Sequence, residues 1–291
     1  PTREYSWASF KELFGFGFYM FMTHLLTTFS QRITGLLVGR WYDPATMGYY
    51  SKASTTSKYA TQSISGVMIQ TTYPLYASVQ DDKERLINMV KRITSTLAYI
   101  TVPMLALLIL IAKPLFIFLY SDRWAMCVPY FQILCVGGMA GCLQAVNQQT
   151  IAAIGKSKVF FVWTVVKQSI GIALQVVGII VWGIWGLLVG KVLSSWFSYF
   201  VNISLVSKHV GYKNSQQLKD LSPIFLVSLL AALAGYFGTS LLGLGLYADG
   251  IVKAVIFVAI YAGWSLIFKP EQYKYTLSVF GSLKSKKNKK K

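Results

Sequence analysis

The chain has 291 residues, of which 54% are hydrophobic and 13% are charged, whereas a soluble domain carries about 25% charged residues. Its mean hydropathy is +0.50, and Asp and Glu together number only ten. This composition excludes an ordinary soluble domain and predicts an all-α polytopic membrane protein. The net charge of +18 would favour nucleic acid as a partner in a soluble protein, but no nucleic-acid-binding motif accompanies it.

Eight apolar runs are long enough, at about 20 residues each, to cross the hydrocarbon core. In chain order they cover residues 14–38, 58–78, 93–119, 128–154, 159–183, 185–206, 222–244 and 249–268. The second run is polar for a membrane span. The fifth and sixth meet at "WGIWG", which predicts a tight turn between two antiparallel helices.

Basic residues are concentrated in the connections on one side of these spans. That side includes Lys83, Lys91, Lys156 and the terminal "KSKKNKKK". The positive-inside rule makes this side cytoplasmic, and an even number of spans puts both ends of the chain there. The three cysteines show neither a CxxC pair nor a metal-ligand spacing, and no cofactor is predicted.

Polar side chains recur at helical spacing within four of the predicted spans. They are His24, Gln31 and Arg32 in the first span, Gln62 and Gln70 in the second, Gln144, Asn147 and Gln148 in the fourth, and Lys167 and Gln175 in the fifth. Amides in spans serve either as interhelical hydrogen-bonding groups or as the lining of a water-filled cavity. The sequence leaves both interpretations open for each amide, and these ten residues are the candidate cavity residues.

The cations within the spans differ in depth. Lys191 and Lys253 lie near the ends of their spans, where a lysine reaches the interface, and we interpret both as structural. Lys167 lies about 12 Å from its nearer end, and Arg32 is about six residues from the outer end of its span. Because the spans contain almost no acidic residue, Arg32 and Lys167 are predicted to attract an anion rather than to pair internally.

Four segments resemble, in this order and spacing, the WzxC-like polysaccharide flippases of the multidrug/oligosaccharidyl-lipid/polysaccharide (MOP) superfamily. They are "LLVGRWYDPATMGYYSKAS", "TTYPLYASVQDDKERL", "VPMLALLILIAKPLFIFLYSDRWAMCVPYFQILCVGGM" and "NQQTIAAIGKSK". The matched region runs from about residue 10 to residue 158. One departure is Thr34, which is neutral where relatives often carry an acidic or amide residue.

The resemblance implies that the chain corresponds to the second helix bundle of a MATE-like flippase and is divided accordingly. Residues 1–13 would lead in from a preceding helix bundle, since the chain has no initiator methionine and reads like the middle of a longer protein. Residues 14–206 would form a six-helix bundle and 207–221 a cytoplasmic loop. Residues 222–268 would add a helix hairpin and 269–291 a polybasic cytoplasmic tail.

The resemblance also implies a function in the bacterial inner membrane. Family members move undecaprenyl-diphosphate-linked oligosaccharide to the periplasmic leaflet for surface polysaccharide or lipopolysaccharide O-antigen synthesis, by alternating access. The implied partners are this glycolipid, membrane lipids, the preceding helix bundle and polysaccharide assembly proteins, with no nucleic acid. Arg32 and Lys167 would attract the diphosphate or acidic sugars.

Three other functions remain open at this level. A drug or small-molecule exporter of the same superfamily would favour a more apolar cavity and an acidic coupling residue. A membrane-embedded glycan-modifying enzyme would need a catalytic set, and the only histidines are His24 and His209. A structural scaffold would not need the polar faces. We therefore predict a non-enzymatic flippase.

Overall fold

A computed structural model describes residues 7–79, 82–240, 243–270 and 272–273. Within these residues the fold is all-helical, with eight α-helices and a short 3-10 turn at Asp122–Trp124. The helices are α1 Trp7–Trp41, α2 Pro44–Ser78, α3 Lys83–Leu110, α4 Ala112–Tyr120, α5 Cys127–Ala153, α6 Ser157–His209, α7 Asn214–Ser240 and α8 Leu246–Phe268.

These helices coincide with the predicted spans, with two differences in how the spans are divided. The third span is broken near Ile111 into α3 and α4, whereas the fifth and sixth spans lie within α6. Five helices of the described residues, α3 and α5–α8, are long and apolar enough to cross a membrane. The all-α membrane fold predicted from the composition is therefore confirmed.

Helix α6 is 53 residues long, but it reverses direction at Trp182 and Gly183, where the backbone leaves the helical conformation. Gly183 has a φ of 62°, which a residue with a side chain rarely adopts. This reversal lies in the predicted "WGIWG" turn, which is confirmed. It divides α6 into a first arm, 157–181, and a second arm, 184–209.

Glycines allow the two arms of α6 to pack closely. A Cβ atom on Gly178 would collide with the backbone of Gly186, and one on Gly190 would lie 2.5 Å from the carbonyl oxygen of Leu174. Close approach of two backbones through small residues is the usual way in which membrane helices associate. The glycine pattern therefore determines the hairpin as well as its turn.

The core of the bundle forms around α5, which packs against α2, α3 and α6. Fully buried side chains such as Leu97, Phe131, Leu143 and Leu187 fill the space between these helices. Helix α1 packs mainly on α6 and makes few contacts with α2. The loose α1–α2 junction leaves room for a cavity on that side of the bundle.

Helices α7 and α8 form a hairpin that packs against α3. The hydroxyl of Tyr99 donates a hydrogen bond to Ser265 Oγ at 2.7 Å, and the hydroxyl of Tyr261 donates to the carbonyl oxygen of Tyr99 at 2.8 Å. Nearer the start of α3, the ammonium of Lys91 lies 3.1 Å from a carboxylate oxygen of Asp220 on α7. These contacts join both helices of the hairpin to α3.

The connections alternate between two ends of the bundle. At one end the α1–α2 connection meets the turn of α6, since a Cβ on Gly183 would lie 2.8 Å from the Tyr42 hydroxyl. At the opposite end, a Cβ on Gly211 would lie 3.1 Å from Lys83 Cε, so the start of α3 meets the α6–α7 connection. We call these the Tyr42 end and the Gly211 end.

Candidate functional site: a cationic cavity between α1, α2, α5 and α6

A cavity of about 1300 Å³ lies between α1, α2, α5 and the two arms of α6. It extends from Arg40 and Met47, near the Tyr42 end, to Thr28 and Gln144. Small residues on each helix keep the space open. The cavity therefore occupies the half of the bundle nearer the Tyr42 end.

Four cations line this cavity, namely Arg32 and Arg40 from α1, Lys58 from α2 and Lys191 from the second arm of α6. None of the described residues that line it is acidic. Lys58 is close enough to Lys191 and Arg32 to be repelled by both. Like charges repel more strongly away from bulk water, so this arrangement favours an anion between them.

Lys191 is held in position by a tyrosine. Its ammonium donates a hydrogen bond to the Tyr50 hydroxyl at 2.9 Å and lies 5.4 Å from the centre of the same ring. The neutral phenol accepts a hydrogen bond from the ammonium, but it does not neutralise the lysine charge because it carries no negative charge itself. Lys191 thus has a fixed position and still presents a net positive charge to the cavity.

Hydroxyl and amide groups cover much of the remaining wall. Twelve of the lining residues carry a hydroxyl, and four carry an amide. The hydroxyl residues are Thr28, Ser30, Thr34, Tyr50, Ser51, Ser54, Thr55, Ser57, Thr61, Ser194, Ser195 and Ser198. Such groups both donate and accept hydrogen bonds, as sugar hydroxyls do.

Two hydrogen bonds join α1 to the first arm of α6 at the edge of the cavity. Thr34 Oγ1 donates to Gln175 Oε1 at 2.7 Å, and Ser30 Oγ donates to Gln168 Oε1 at 2.7 Å. Gln175 Nε2 also donates to the carbonyl oxygen of Gly171 at 3.0 Å, which fixes the orientation of the amide. The neutral Thr34 therefore has a defined partner on α6.

The structure brings several of the predicted site residues together. Gln31, Arg32, Gln144 and Gln175 all line the cavity. The side chains of Gln62 and Gln70 lie outside the described part of the structure. The predicted convergence of polar faces from the first, fourth and fifth spans is thus what the geometry shows, although a functional role for each residue stays a prediction.

Lys167 does not line this cavity, contrary to the sequence-based expectation. It is buried between the two arms of α6, with 3% of its surface exposed, and its ammonium donates a hydrogen bond to Asn202 Oδ1 at 2.7 Å. Asn202 lies 35 residues further along the chain, and only the reversal of α6 brings it opposite Lys167. The cation therefore has an internal polar partner that is not a carboxylate.

Three other candidates also lie away from the cavity wall. Asn147 is fully buried, and its Oδ1 accepts a hydrogen bond from Gln217 Nε2 of α7 at 3.3 Å. His24 is exposed on α1, and Gln148 is half-buried on α5. Asn147 thus follows the alternative left open by the sequence, an interhelical hydrogen bond, because Gln217 of α7 reaches its side chain.

Sequence patterns did not identify the cavity residues Arg40, Lys58, Lys191 and Gln168. A signal was present for two of them. Lys191, Ser194, Ser195 and Ser198 follow helical spacing, and so do Ser51, Ser54, Thr55 and Lys58, the set in α2. Both patterns place a lysine on a hydroxyl-bearing face, which indicates a cavity rather than a lysine reaching to the interface.

Comparisons with known proteins agree with this architecture. Residues 1–129 match the family model described as "Polysaccharide biosynthesis protein". The chain is 22% identical over 240 residues to the lipopolysaccharide biosynthesis protein WzxC of Escherichia coli (strain K12), covering 81% of this chain and 48% of WzxC. Over these stretches the chain is similar to bacterial proteins of polysaccharide and lipopolysaccharide biosynthesis.

Two further relatives match shorter parts of the chain. A Klebsiella pneumoniae protein, described as an uncharacterized membrane protein in the cps region, is 31% identical over 124 residues, covering 42% of this chain and 25% of that protein. TuaB of Bacillus subtilis (strain 168), a teichuronic acid biosynthesis protein, is 20% identical over 163 residues, covering 56% and 34% respectively. The chain spans about half the length, or less, of these curated relatives.

Solved structures show the MOP fold. A multidrug resistance MATE family transporter in an outward-facing conformation aligns with a TM-score of 0.59, at 15% identity, over 88% of this chain and 64% of its own. A MOP superfamily transporter from Pyrococcus furiosus aligns with a TM-score of 0.58 at the same identity and the same coverage. At this identity the likeness concerns the fold alone.

Proposed function

We propose that this chain supplies the anion-binding cavity of a flippase that moves undecaprenyl-diphosphate-linked oligosaccharide from the cytoplasmic to the periplasmic leaflet. The observation that carries the proposal is the cavity wall with four cations and no acidic residue among those described. A diphosphate is a compact multiple anion, and it would relieve the repulsion among Arg32, Lys58 and Lys191. Charge-assisted hydrogen bonds would hold it.

The walls also suit the glycan. Hydroxyl and amide groups outnumber the cations, and they are spread over α1, α2, α5 and α6. They would exchange hydrogen bonds with sugar hydroxyls without requiring one particular sugar. Because the cavity holds about 1300 Å³, it would accept several sugar units together with the diphosphate.

We propose that transport proceeds by alternating access, with this chain acting beside a second helix bundle. Such transporters place the substrate at the interface between two bundles and rock one against the other. Two observations support this: the chain spans only part of the length of its relatives, and its cavity lies towards one end of the bundle. Both ends of this chain would lie on the cytoplasmic side.

Export of a drug or another small molecule is the second candidate, because one structural neighbour is a multidrug resistance transporter. The cavity does not favour it. Four positive charges would repel a cationic drug, and none of the described lining residues is acidic and could attract one. An anionic small molecule would also fit this cationic wall. The experiment must therefore distinguish transport of such a molecule from transport of the lipid-linked oligosaccharide.

The test uses the complete transporter in cells that lack their own flippase. The readout is modification of the lipid-linked oligosaccharide by a periplasmic glycan-modifying enzyme. We expect Arg32→Gln and Lys191→Gln each to reduce transport about tenfold or more at limiting substrate, since a hydrogen bond to a charged group contributes about 1.5–3 kcal/mol. The matched control is Lys113→Gln, an exposed cation of α4 outside the cavity.

Two outcomes would contradict the proposal. If the wild-type protein leaves the glycan inaccessible in the presence of its matching biosynthetic pathway, the flippase function is wrong. If transport survives both substitutions at wild-type rates while expression is equal, the flippase function stands and the cationic binding site is wrong.

A further inference from the structure

A second cavity, separate from the first, lies along the outside of the α6 hairpin near the Gly211 end. It has a volume of about 520 Å³, and its walls come from both arms of α6. Its apolar wall includes Trp163 of the first arm with Phe197 and Phe200 of the second arm, and Ser204 lies further along it. Lys208 and His209 close one end. We call this feature the α6 groove.

The α6 groove and the cationic cavity share no lining residue. On the second arm, Phe197, Phe200 and Ser204 lie about 60–160° around the helix from Ser194 and Ser198, which line the cavity. Its aromatic wall is open to the surroundings, since Trp163 is 39% and Phe200 47% exposed. In a membrane-spanning hairpin, an apolar groove on the outer face meets lipid chains.

The closed end of the α6 groove is positively charged. Lys208 and His209 are joined there by Lys156, which is close enough to affect His209 electrostatically. The first arm also begins at this end, and the free N–H groups of a helix N-terminus attract anions. No described residue that lines the groove is acidic.

The pKa of His209 reflects the same positively charged environment. Burial lowers the pKa of His209 below its usual value, and the neighbouring charges of Lys156 and Lys208 lower it further. Burial and the two lysines all lower the pKa of His209, and a bound anion would oppose the contribution of the lysines to that pKa. The end of the groove therefore combines partial shielding from water with uncompensated positive charge.

We propose that the α6 groove binds one anionic phospholipid of the surrounding bilayer. An acyl chain lies along Trp163, Phe197 and Phe200, and the phosphate contacts Lys208 and His209. Along α6 the apolar wall is followed by the basic end, just as the acyl chain of a lipid is followed by its charged headgroup. Basic recesses between membrane helices near the bilayer surface bind such headgroups. The site is independent of the proposed transport cavity.

Native mass spectrometry of the full protein tests the proposal by titration with phosphatidylglycerol and phosphatidylethanolamine of identical acyl chains. We expect tighter binding of phosphatidylglycerol by the wild-type protein. Lys208→Gln should weaken that binding about fivefold, as one basic residue near a membrane surface contributes about this factor. The matched control is Lys213→Gln, an exposed cation at the same end outside the groove, which should leave it unchanged.

A second variant tests the apolar part. Ser204→Trp should fill the α6 groove and weaken the binding of both lipids, with folding checked by circular dichroism. Equal affinity for the two lipids in the wild-type protein, or an equal loss in Lys213→Gln, would overturn the proposal. Displacement of phosphatidylglycerol by a polyprenyl phosphate at much lower concentration would also overturn it, because the groove would then serve the transported lipid.

Discussion

At the residue scale, the cations of this protein fall into two classes that the sequence does not separate. Arg32 and Lys191 face a polar cavity, whereas Lys167 is enclosed between the arms of α6 with Asn202 as its partner. A buried ammonium without any partner carries a large desolvation cost. Asn202 is therefore expected to matter for stability, and the cavity cations are expected to matter for binding.

This difference gives a testable prediction at Asn202. Asn202→Leu leaves the Lys167 ammonium buried without its acceptor, and we expect a loss of about 1.5–3 kcal/mol in stability, the contribution of a charge-assisted hydrogen bond. The measurement is thermal unfolding of the purified protein in detergent. The double variant Lys167→Met with Asn202→Leu should recover most of the loss, since it removes both polar groups. An unchanged unfolding temperature in Asn202→Leu would contradict the structural role of the pair.

At the element scale, α6 decides much of the architecture. Its turn at Gly183 and the close packing of Gly178 on Gly186 produce a hairpin whose inner edge lines the cavity and whose outer face carries the α6 groove. One long apolar helix with a single turn thus contributes to both the cationic cavity and the α6 groove. The spacing of its two arms is set by the missing side chains of the glycines.

The corresponding prediction concerns Gly178. Gly178→Ala places a methyl group against the backbone of Gly186, and because backbone atoms cannot move aside as a flexible side chain can, we expect a loss of about 1–3 kcal/mol or more. The measurement is thermal unfolding with size-exclusion chromatography. Gly48→Ala is the matched control, since nothing lies within 4 Å of its added methyl group, and it should be neutral or slightly stabilising. Equal effects of the two substitutions would show that the arms do not pack through Gly178.

The element scale also shows how far sequence patterns extend. The order of the helices, the polar character of α2 and the turn of α6 follow from local periodicity and were predicted. The lengths were not, since α2 begins at Pro44 rather than at 58 and α7 begins at Asn214 within the predicted loop. The division between α3 and α4 near Ile111 was not predicted, although Pro114 gives a local signal. Its ring excludes a helical hydrogen bond to the carbonyl of Leu110, the residue at which α3 ends.

At the scale of the whole molecule, the protein presents different chemistry at its two ends. The cationic cavity lies towards the Tyr42 end, and the basic end of the α6 groove lies at the Gly211 end. The α7–α8 hairpin joins the bundle mainly through α3, and Gln217 of α7 donates a hydrogen bond to Asn147 of α5. The orientation of these two ends in the membrane decides which leaflet each feature faces.

Cysteine labelling in intact cells tests the orientation. The native thiols Cys127, Cys135 and Cys142 are all buried, so their background reaction should be small. With the Gly211 end cytoplasmic, Arg123→Cys should react with a membrane-impermeant maleimide from outside, and Lys213→Cys should react only after permeabilisation. Both positions are exposed. The reverse pattern would show that the positive-inside rule misassigns this protein.

The sequence by itself determined the membrane class, the helical spans, the α6 turn and the polar faces of the first and fifth spans. These features depend on residues close together in the chain, where composition and a period of 3.6 residues are sufficient. Gln31, Arg32 and Gln175 were identified in this way.

Only the tertiary structure decided which polar faces meet one another. Periodicity fixes the angle between two side chains on one helix, but it does not say which helix covers that face. Lys167 and Asn147 carried the same sequence signal as Arg32 and Gln144, yet Asn202 and Gln217 cover them. Lys191 lay near the end of a span and was interpreted as a surface lysine, because the opposing α2 wall that encloses it is distant in sequence.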